Sequence, residues 1–234
     1  MRQAVILAGG KATRLRPYTD DRPKAMIEIA GAPIVEHQLR WLAANDIRHV
    51  VLSVGYRAEI LTDHLGDGED LEVHIQYAVE AEPLGRGGGL RFAARRLPFQ
   101  DEPWLGLNGD VITRFPISEM AALHGKIGAA ATVALAPYRS NWGVAELEGD
   151  FVRGFVQSPR LPYWINAGVY AMEPEVVDLL PVKGDHEDTT FPELALTHRL
   201  GGFRIDGYWR GIDTLKDIRE AGEDLGLPGG SSPA

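Results

Sequence analysis

The chain has no cysteine among its 234 residues. That excludes a disulfide framework, a thiolate zinc site and a cysteine nucleophile. Long hydrophobic runs are missing as well. The longest informative uncharged stretch, Ile127 to Tyr138, is bounded by Lys126 and Arg139 and is too short to cross a bilayer as a helix. At the start only Ala4 to Ala8 is apolar, shorter than the core of a secretory leader. A cytoplasmic location with no membrane partner is therefore expected. Nor is there an excess of positive charge: 24 Lys and Arg stand against 33 Asp and Glu, a net charge of −9, which argues against nucleic-acid binding. No internal repeat is visible. With 44% hydrophobic and 24% charged residues, the composition is that of an ordinary globule rich in turns.

Locally the charge balance reverses. Between Lys11 and Lys24 five cations (Lys11, Arg14, Arg16, Arg22, Lys24) face only Asp20 and Asp21. An acidic chain that gathers its cations into one segment points to a small polyanionic ligand.

The hydrophobic pattern places that segment. Gln3 to Ala8 reads as a buried parallel strand ending at Gly9-Gly10. A helix is predicted from Pro33, with Val35, Leu39 and Leu42 on one face. Strands at His49 to Val54, Val73 to Ala78 and Trp104 to Leu107 alternate with helices at Ala58 to Leu65 and Leu90 to Leu97. Such alternation predicts an α/β fold, a Rossmann-like mixed sheet with helices on both faces, which binds ligands at the carboxyl ends of its strands. Beyond about Phe115 strands dominate: Ala129 to Ala136, Gly143 to Leu147, Phe151 to Val156 and Ile165 to Met172. No linker separates the halves, so one domain over residues 1–226 is expected, with lobes at 1–115 and 116–226 and a disordered tail at 227–234. Its last helix is read as Thr214 to Leu225, with Asp213 as a good N-cap.

The strongest local signal is Leu7-Ala-Gly-Gly-Lys-Ala-Thr-Arg-Leu-Arg-Pro17, followed by Arg22-Pro-Lys24. Glycines after a buried strand let backbone N–H groups approach phosphate oxygens, and Arg14 and Lys24 add charge. The segment lacks the Gly-Lys-Ser/Thr ending of a P-loop, and it is not Gly-x-Gly-x-x-Gly, which disfavours a nicotinamide-binding oxidoreductase. Three further motifs follow. Glu82-Pro-Leu-Gly-Arg-Gly-Gly-Gly-Leu90 leaves room beside a helix start, Leu107-Asn-Gly-Asp110 ends a strand, and Tyr208-Trp-Arg-Gly-Ile-Asp213 precedes the last helix. Asn-Gly alone is a turn signal.

Taken in order, these motifs resemble the sugar-1-phosphate nucleotidylyltransferases, whose opening signature is Leu-Ala-Gly-Gly-x-Gly-Thr-Arg-Leu-x-Pro with Pro-Lys some ten residues on. Ala12 stands where that family usually has Gly. The resemblance implies transfer of a nucleotidyl group from an NTP to a sugar 1-phosphate, with pyrophosphate released and Mg²⁺ as cofactor. It makes 1–115 the nucleotide-binding lobe and 116–226 the sugar-binding lobe. Its implied nucleotide-binding set is Leu7, Ala8, Gly9, Gly10, Lys11, Ala12, Thr13, Arg14, Lys24, Glu82, Pro83, Gly85, Gly87, Gly88 and Asn108. Arg14, Lys24 and Asp110 are the implied catalytic residues, and Asp110 and Asp213 the implied metal ligands. A hard Mg²⁺ needs few carboxylates because water and phosphate complete its shell. Most relatives carry the second carboxylate two residues after the Trp, where this chain has Gly211.

On the sugar side the resemblance is thinner. The family's Glu-Lys-Pro is Gln157-Ser-Pro159 here, and Ser158 cannot supply the lysine's charge. Gly143, Gln157, Arg160 and Asn166 are the expected sugar-phosphate residues, with Arg160 the candidate replacement cation and Arg86 a candidate for an extra phosphate contact. The Glu-Pro-Leu-Gly segment resembles the mannose-1-phosphate guanylyltransferases and favours GTP with a mannose- or heptose-type sugar. The segment around Asp213 resembles the cytidylyltransferases, and the compact length the uridylyltransferases. A catalytically silent nucleotide-sugar-binding subunit is the alternative from another class, and a homo-oligomer is left open.

Overall fold

The computed structural model describes residues 1–10 and 15–226. Lys11 to Arg14 and the expected tail therefore lie outside the described residues. In chain order the first half runs β1 (Gln3–Leu7), β2 (Glu28–Ile29), β3 (Ala32–Pro33), α1 (Ile34–Ala44), β4 (His49–Val54), α2 (Ala58–Leu65), β5 (His74–Val79), α3 (Gly85–Ala94) and β6 (Trp104–Asn108). The second half runs β7 (Val111–Arg114), α4 (Ile117–Ile127), β8 (Ala131–Arg139), β9 (Gly143–Glu148), β10 (Phe151–Gln157), β11 (Arg160–Met172), α5 (Val176–Leu179), α6 (Thr190–Leu196), β12 (Leu200–Arg204), β13 (Tyr208–Gly211) and α7 (Leu215–Gly226).

Seven strands form one sheet in the order β12-β8-β11-β6-β1-β4-β5. Strands β6, β1, β4 and β5 are mutually parallel, β12 is parallel to β8, and β11 runs antiparallel between β6 and β8. Both halves of the chain thus build a single mixed sheet. Because strand side chains alternate faces, Ala4 and Ile6 of β1 join Val35, Leu39 and Leu42 of α1 in one core. Val5, between them, joins Leu90 and Ala93 of α3 and Phe191 and Leu194 of α6 in the other. Helices on both faces follow directly. A third small core unites Leu15, Ile27, Ile29 and Ile34 with Ile112, Ile212 and Ala221, and it ties the C-terminal helix to the loop after β1. No helix among the described residues is long and apolar enough to cross a membrane.

Several elements differ from their expected form. Pro33 sits at the N-cap of α1 and the helix starts at Ile34. Helix α3 spans Gly85 to Ala94, starting five residues and ending three residues earlier than the apolar pattern Leu90 to Leu97 suggests. Glycine is a poor helix former, yet Gly87, Gly88 and Gly89 are buried helical residues fixed by packing. Helix α4 has no counterpart in the expected elements: its core side sets the buried His124, bonded to Thr132, among the apolar residues. Between β8 and β11 the hairpin β9–β10 projects with most of its apolar side chains exposed, Phe151 at 81% and Leu147 at 71%.

Candidate active site

A cleft of about 340 Å³ lies at the carboxyl ends of β1 and β6. Its lining includes Leu7, Ala8, Gly9, Gly10, Lys24, Pro83, Gly85, Asn108 and Asp110, all expected from sequence. It also includes Arg86, the candidate for an extra phosphate contact, Gly109 of the Asn-Gly-Asp motif, and Glu80 and Asp185, which no motif marks. The parallel pairing Leu7 with Asn108 brings the two strand ends side by side. A Cβ on Gly109 would stand 2.0 Å from the Leu7 carbonyl oxygen, so only glycine lets the Asn108-Gly109-Asp110 turn close against β1.

Lys24 opens a short 3-10 turn anchored by the buried Ala25 and Met26. Its Nζ donates to Asp110 Oδ2 at 2.8 Å and to Asp213 Oδ1 at 2.9 Å, and its side chain is only 13% exposed. The two carboxylates meet because β7 and β13 pair antiparallel, Val111 opposite Gly211, and the Ile212 N–H donates to the Asp110 carbonyl at 2.9 Å. A ribbon between distant parts of the chain thus sets Asp213 beside Asp110. The trio leaves one net negative charge facing the cleft. Among the described residues there is no group of three or more acidic or His side chains able to hold a metal. Two hard carboxylate oxygens converging within hydrogen-bond reach of one point fit Mg²⁺, which takes its remaining ligands from water and phosphate, and do not fit a cage for Ca²⁺ or zinc.

The expectation that Asp213 caps the last helix is corrected. Thr214 is the cap: the Asp217 carboxylate accepts from the Thr214 N–H at 2.8 Å, while the Asp217 N–H donates to Thr214 Oγ1 at 3.2 Å. This is the reciprocal pattern of a capping box. Asp217 also accepts from the Asp213 N–H at 3.1 Å, so the Asp213 side chain is released from capping and turns to Lys24. Lys24 itself, expected to meet phosphate, is committed here to the two carboxylates.

Two polar side chains, the buried Gln38 and the half-buried Glu80, hold the cleft in shape. Gln38, on the core side of α1, donates from Nε2 to the carbonyls of Asn108 at 2.8 Å and Val111 at 2.9 Å, clasping both ends of the turn that carries Asp110. Glu80 accepts from Ser53 Oγ at 2.7 Å and from the Leu84 N–H at 3.0 Å, fixing the segment that leads into α3. A lone polar residue at a buried helical position, four after Ile34, was the available signal for Gln38.

The glycine segment is used differently from its expected role. A Cβ on Gly87 would lie 2.7 Å from Pro181 Cγ, and one on Gly88 2.7 Å from the Val182 carbonyl. Their bareness admits the chain's own 181–186 segment, and neither lines the cleft. Glu82 turns away to Lys183 at 2.9 Å. Arg86 does reach the cleft, but paired: Nη2 donates to Asp185 at 2.8 Å and Nη1 lies 3.0 Å from Glu187. Hydrogen bonds from Arg86 hold the Asp185 carboxyl below its ordinary range, whereas burial pushes Glu187 up. Between them His186 is fully buried against Tyr170 and Phe191, and burial, aided by the Arg86 charge, lowers it to about 4.

The expected sugar-phosphate residues are dispersed. Gly143 and Gln157 face each other at the base of the β9–β10 hairpin, and Arg160 lies opposite Arg139 at the start of β11. None of the three lines the cleft. Asn166 stands apart from them, its Nδ2 donating to the Tyr170 hydroxyl at 3.0 Å. Arg14, Lys11, Ala12 and Thr13 lie outside the described residues.

Residues 3–226 match the family described as Nucleotidyl transferase. A mannose-1-phosphate guanyltransferase of Yarrowia lipolytica is 38% identical over 224 residues, covering 92% of this chain and 62% of the relative. One from Candida albicans is 37% identical over 225 residues with the same coverage. The chain thus spans about 62% of the length of these curated relatives. Among solved structures, HddC from Yersinia pseudotuberculosis in complex with GMP-PN superposes with a TM-score of 0.76 at 23% identity, covering 96% of this chain and all of that one. At that identity the likeness establishes the fold.

Proposed function

Since the chain belongs to the nucleotidyl transferase family, we propose that it transfers GMP from GTP to mannose 1-phosphate or a closely similar sugar 1-phosphate. The observation that carries the proposal is the Lys24–Asp110–Asp213 trio, set at the carboxyl ends of parallel strands beside a glycine-lined cleft. The nucleotide and sugar follow the naming of the relatives at 37–38% identity.

In the proposed reaction an oxygen of the sugar phosphate attacks the α-phosphorus of the nucleotide. A new P–O bond forms as the bond to the bridging oxygen of the β-phosphate breaks, and pyrophosphate carries the electron pair away. No covalent protein nucleophile is needed, so the protein contributes position and charge. The backbone of Ala8, Gly9 and Gly10 offers close approach to phosphate oxygens. Asp110 and Asp213 would hold Mg²⁺, which when bound neutralises phosphate charge. Lys24, whose Nζ stands between the two carboxylates at the cleft, would donate to a phosphate oxygen of the bound nucleotide. Arg14 is assigned to the departing pyrophosphate.

Pyrophosphate release from a matrix of four NTPs against mannose, glucose, galactose and heptose 1-phosphates tests the reading. GTP with mannose 1-phosphate is the expected best pair. CTP or UTP as the preferred donor overturns the choice of base, and silence of the whole matrix overturns the enzyme.

A further inference from the structure

The hairpin β9–β10 is exposed along both of its faces. More than half of the large hydrophobic side chains exposed among the described residues lie between Trp142 and Trp164. Its two strands pair with each other and with no third strand, and a two-stranded hairpin alone is marginally stable in water. Strand alternation sorts its side chains. Leu147 pairs with Val152, and Ala145 with Phe155. Val152 and Phe155 are three residues apart, yet the extra residue at the bulge between Val152 and Gly154 keeps both on one face. That face is apolar throughout, and it runs on to Gly143, where a Cβ would stand 2.1 Å from the Phe155 ring. The opposite face mixes Val144, Val156 and Phe151 with Glu146 and Glu148.

We propose that the apolar face docks a second copy of this chain, two hairpins packing face to face and antiparallel about a twofold axis. The surface has the size for it. Phe155 near the centre and Trp142 and Tyr163 at the base are each at least 66% exposed, and these rings alone present on the order of 400 Å². Leu147, Val152 and the charged rim bring the surface toward the roughly 800 Å² that each partner gives a stable interface. Charge makes it self-complementary. The tip carries Glu146, Glu148 and Asp150 against Arg153 alone. At the base Arg139 and Arg160 stand directly opposite each other, a like-charge pairing that costs stability, and neither has an ion pair among the described residues. Antiparallel docking sets the acidic tip of each copy on the two arginines of the other, the same contact made twice, as an isologous interface requires. That acidic tip disfavours the other occupant of an apolar ribbon, an anionic membrane surface. Arg160, which does not line the cleft, thereby serves assembly.

Sedimentation velocity of the full chain across the micromolar range tests the docking, and the parent should sediment as a dimer. Leu147→Lys puts a charge on the apolar face at a site already exposed, so the fold is spared while the dimer dissociation constant should rise at least about 100-fold. Val156→Lys, the same change on the opposite face, should leave it within about threefold, the scale of a rim charge. Arg160→Glu and Glu148→Arg should each weaken the dimer at least about 10-fold. An equimolar mixture of those two variants should form heterodimers in preference to either homodimer, because only there does each reversed charge meet its opposite. Should Leu147→Lys fail to fold, that mixture decides alone. A parent that stays monomeric, a dimer indifferent to Leu147→Lys, or a mixture without heterodimer preference overturns the inference. So does a monomer that floats with phosphatidylcholine vesicles, which makes the occupant a lipid surface.

Discussion

At the β1–β6 side of the sheet the groups that shape the cleft are tied to one another: Lys24 to two carboxylates, Gln38 to two carbonyls, Glu80 to a hydroxyl and an amide. At the β8–β11–β12 side, Glu187 Oε2 and both ring nitrogens of His186 are buried with no partner among the described residues. The first side is rigid before any ligand arrives, which suits a site that works by holding phosphate in place. The second buries an imidazole and a carboxylate oxygen without partners, a cost that, among the groups shaping the cleft, the first side confines to Gln38 Oε1. Paired charge placement and unpaired burial are thus divided between two parts of one sheet.

Removing the central charge of the rigid side should have the largest effect. Lys24→Ala leaves Asp110 and Asp213 facing each other without a counter-charge and is expected to lower kcat/KM for pyrophosphate release by at least about 100-fold. Asp110→Asn and Asp213→Asn should each do likewise and raise the Mg²⁺ requirement, with the double variant losing far less than the product, as ligation of one shared ion requires. Near-normal turnover in Lys24→Ala would break the comparison at its rigid end.

On the other side the buried imidazole provides the probe. His186 is held at about 4, below its ordinary 6.5, so between those values the unfolded chain binds a proton that the folded chain refuses. Stability from this group is therefore present above pH 6.5 and is lost as pH falls toward 4. His186→Phe keeps an aromatic ring between Tyr170 and Phe191 and sacrifices no hydrogen bond of the ring. Denaturant titrations at pH 7 and pH 5 should show the variant gaining roughly 2 kcal/mol on the parent over that interval. Glu187, pushed up by burial, is common to both proteins and drops out of the difference. A constant difference across pH would mean that His186 is solvated or paired.

Gln38→Leu sharpens the same contrast more gently. It strips the donor from the Asn108 and Val111 carbonyls and also removes the unpaired Oε1 of Gln38, so a partial offset leaves about 1.5 kcal/mol of destabilisation. Because the clasped turn carries Asp110, kcat should fall about 10-fold with KM for GTP little changed. A loss of stability without a change in kcat would reduce Gln38 to a core residue.

What could be read beforehand follows the same division. Strands β1, β4 and β6 are buried on both faces and read as apolar runs, and the residues at their ends (Gly9, Gly10, Lys24, Asp110) come from compact motifs. Helix α3 hid because its glycines are helical only through contact with residues 181–186, a tertiary effect that local propensity opposes. Strand β12, with two glycines in five residues, hid for the same reason. Glu187 and Asp185 lie in a segment without periodicity, and nothing local marks a carboxylate whose partner, Arg86, is about a hundred positions away. The Thr214-x-x-Asp217 spacing of the capping box is itself a local signal in the sequence, one residue past Asp213.

That capping box yields the smallest effect and the cleanest separation of structure from chemistry. Thr214→Ala removes the hydroxyl that accepts from the Asp217 N–H and donates to its carboxylate, so about 1 kcal/mol of stability should go, a fall in Tm of roughly 2–4 °C for a chain of this size. Asp213 keeps its own contact with Lys24 at 2.9 Å, and the β7–β13 ribbon that positions it does not depend on the cap. The Mg²⁺ requirement and kcat of Thr214→Ala should therefore match the parent below its Tm. Asp213→Asn should show the reverse, an unchanged Tm and a raised Mg²⁺ requirement, because the side chain has no share in the cap. Were both variants to shift Tm and metal dependence together, the helix start and the metal carboxylate would be one mechanical unit, and the rigid side of the sheet would extend through α7.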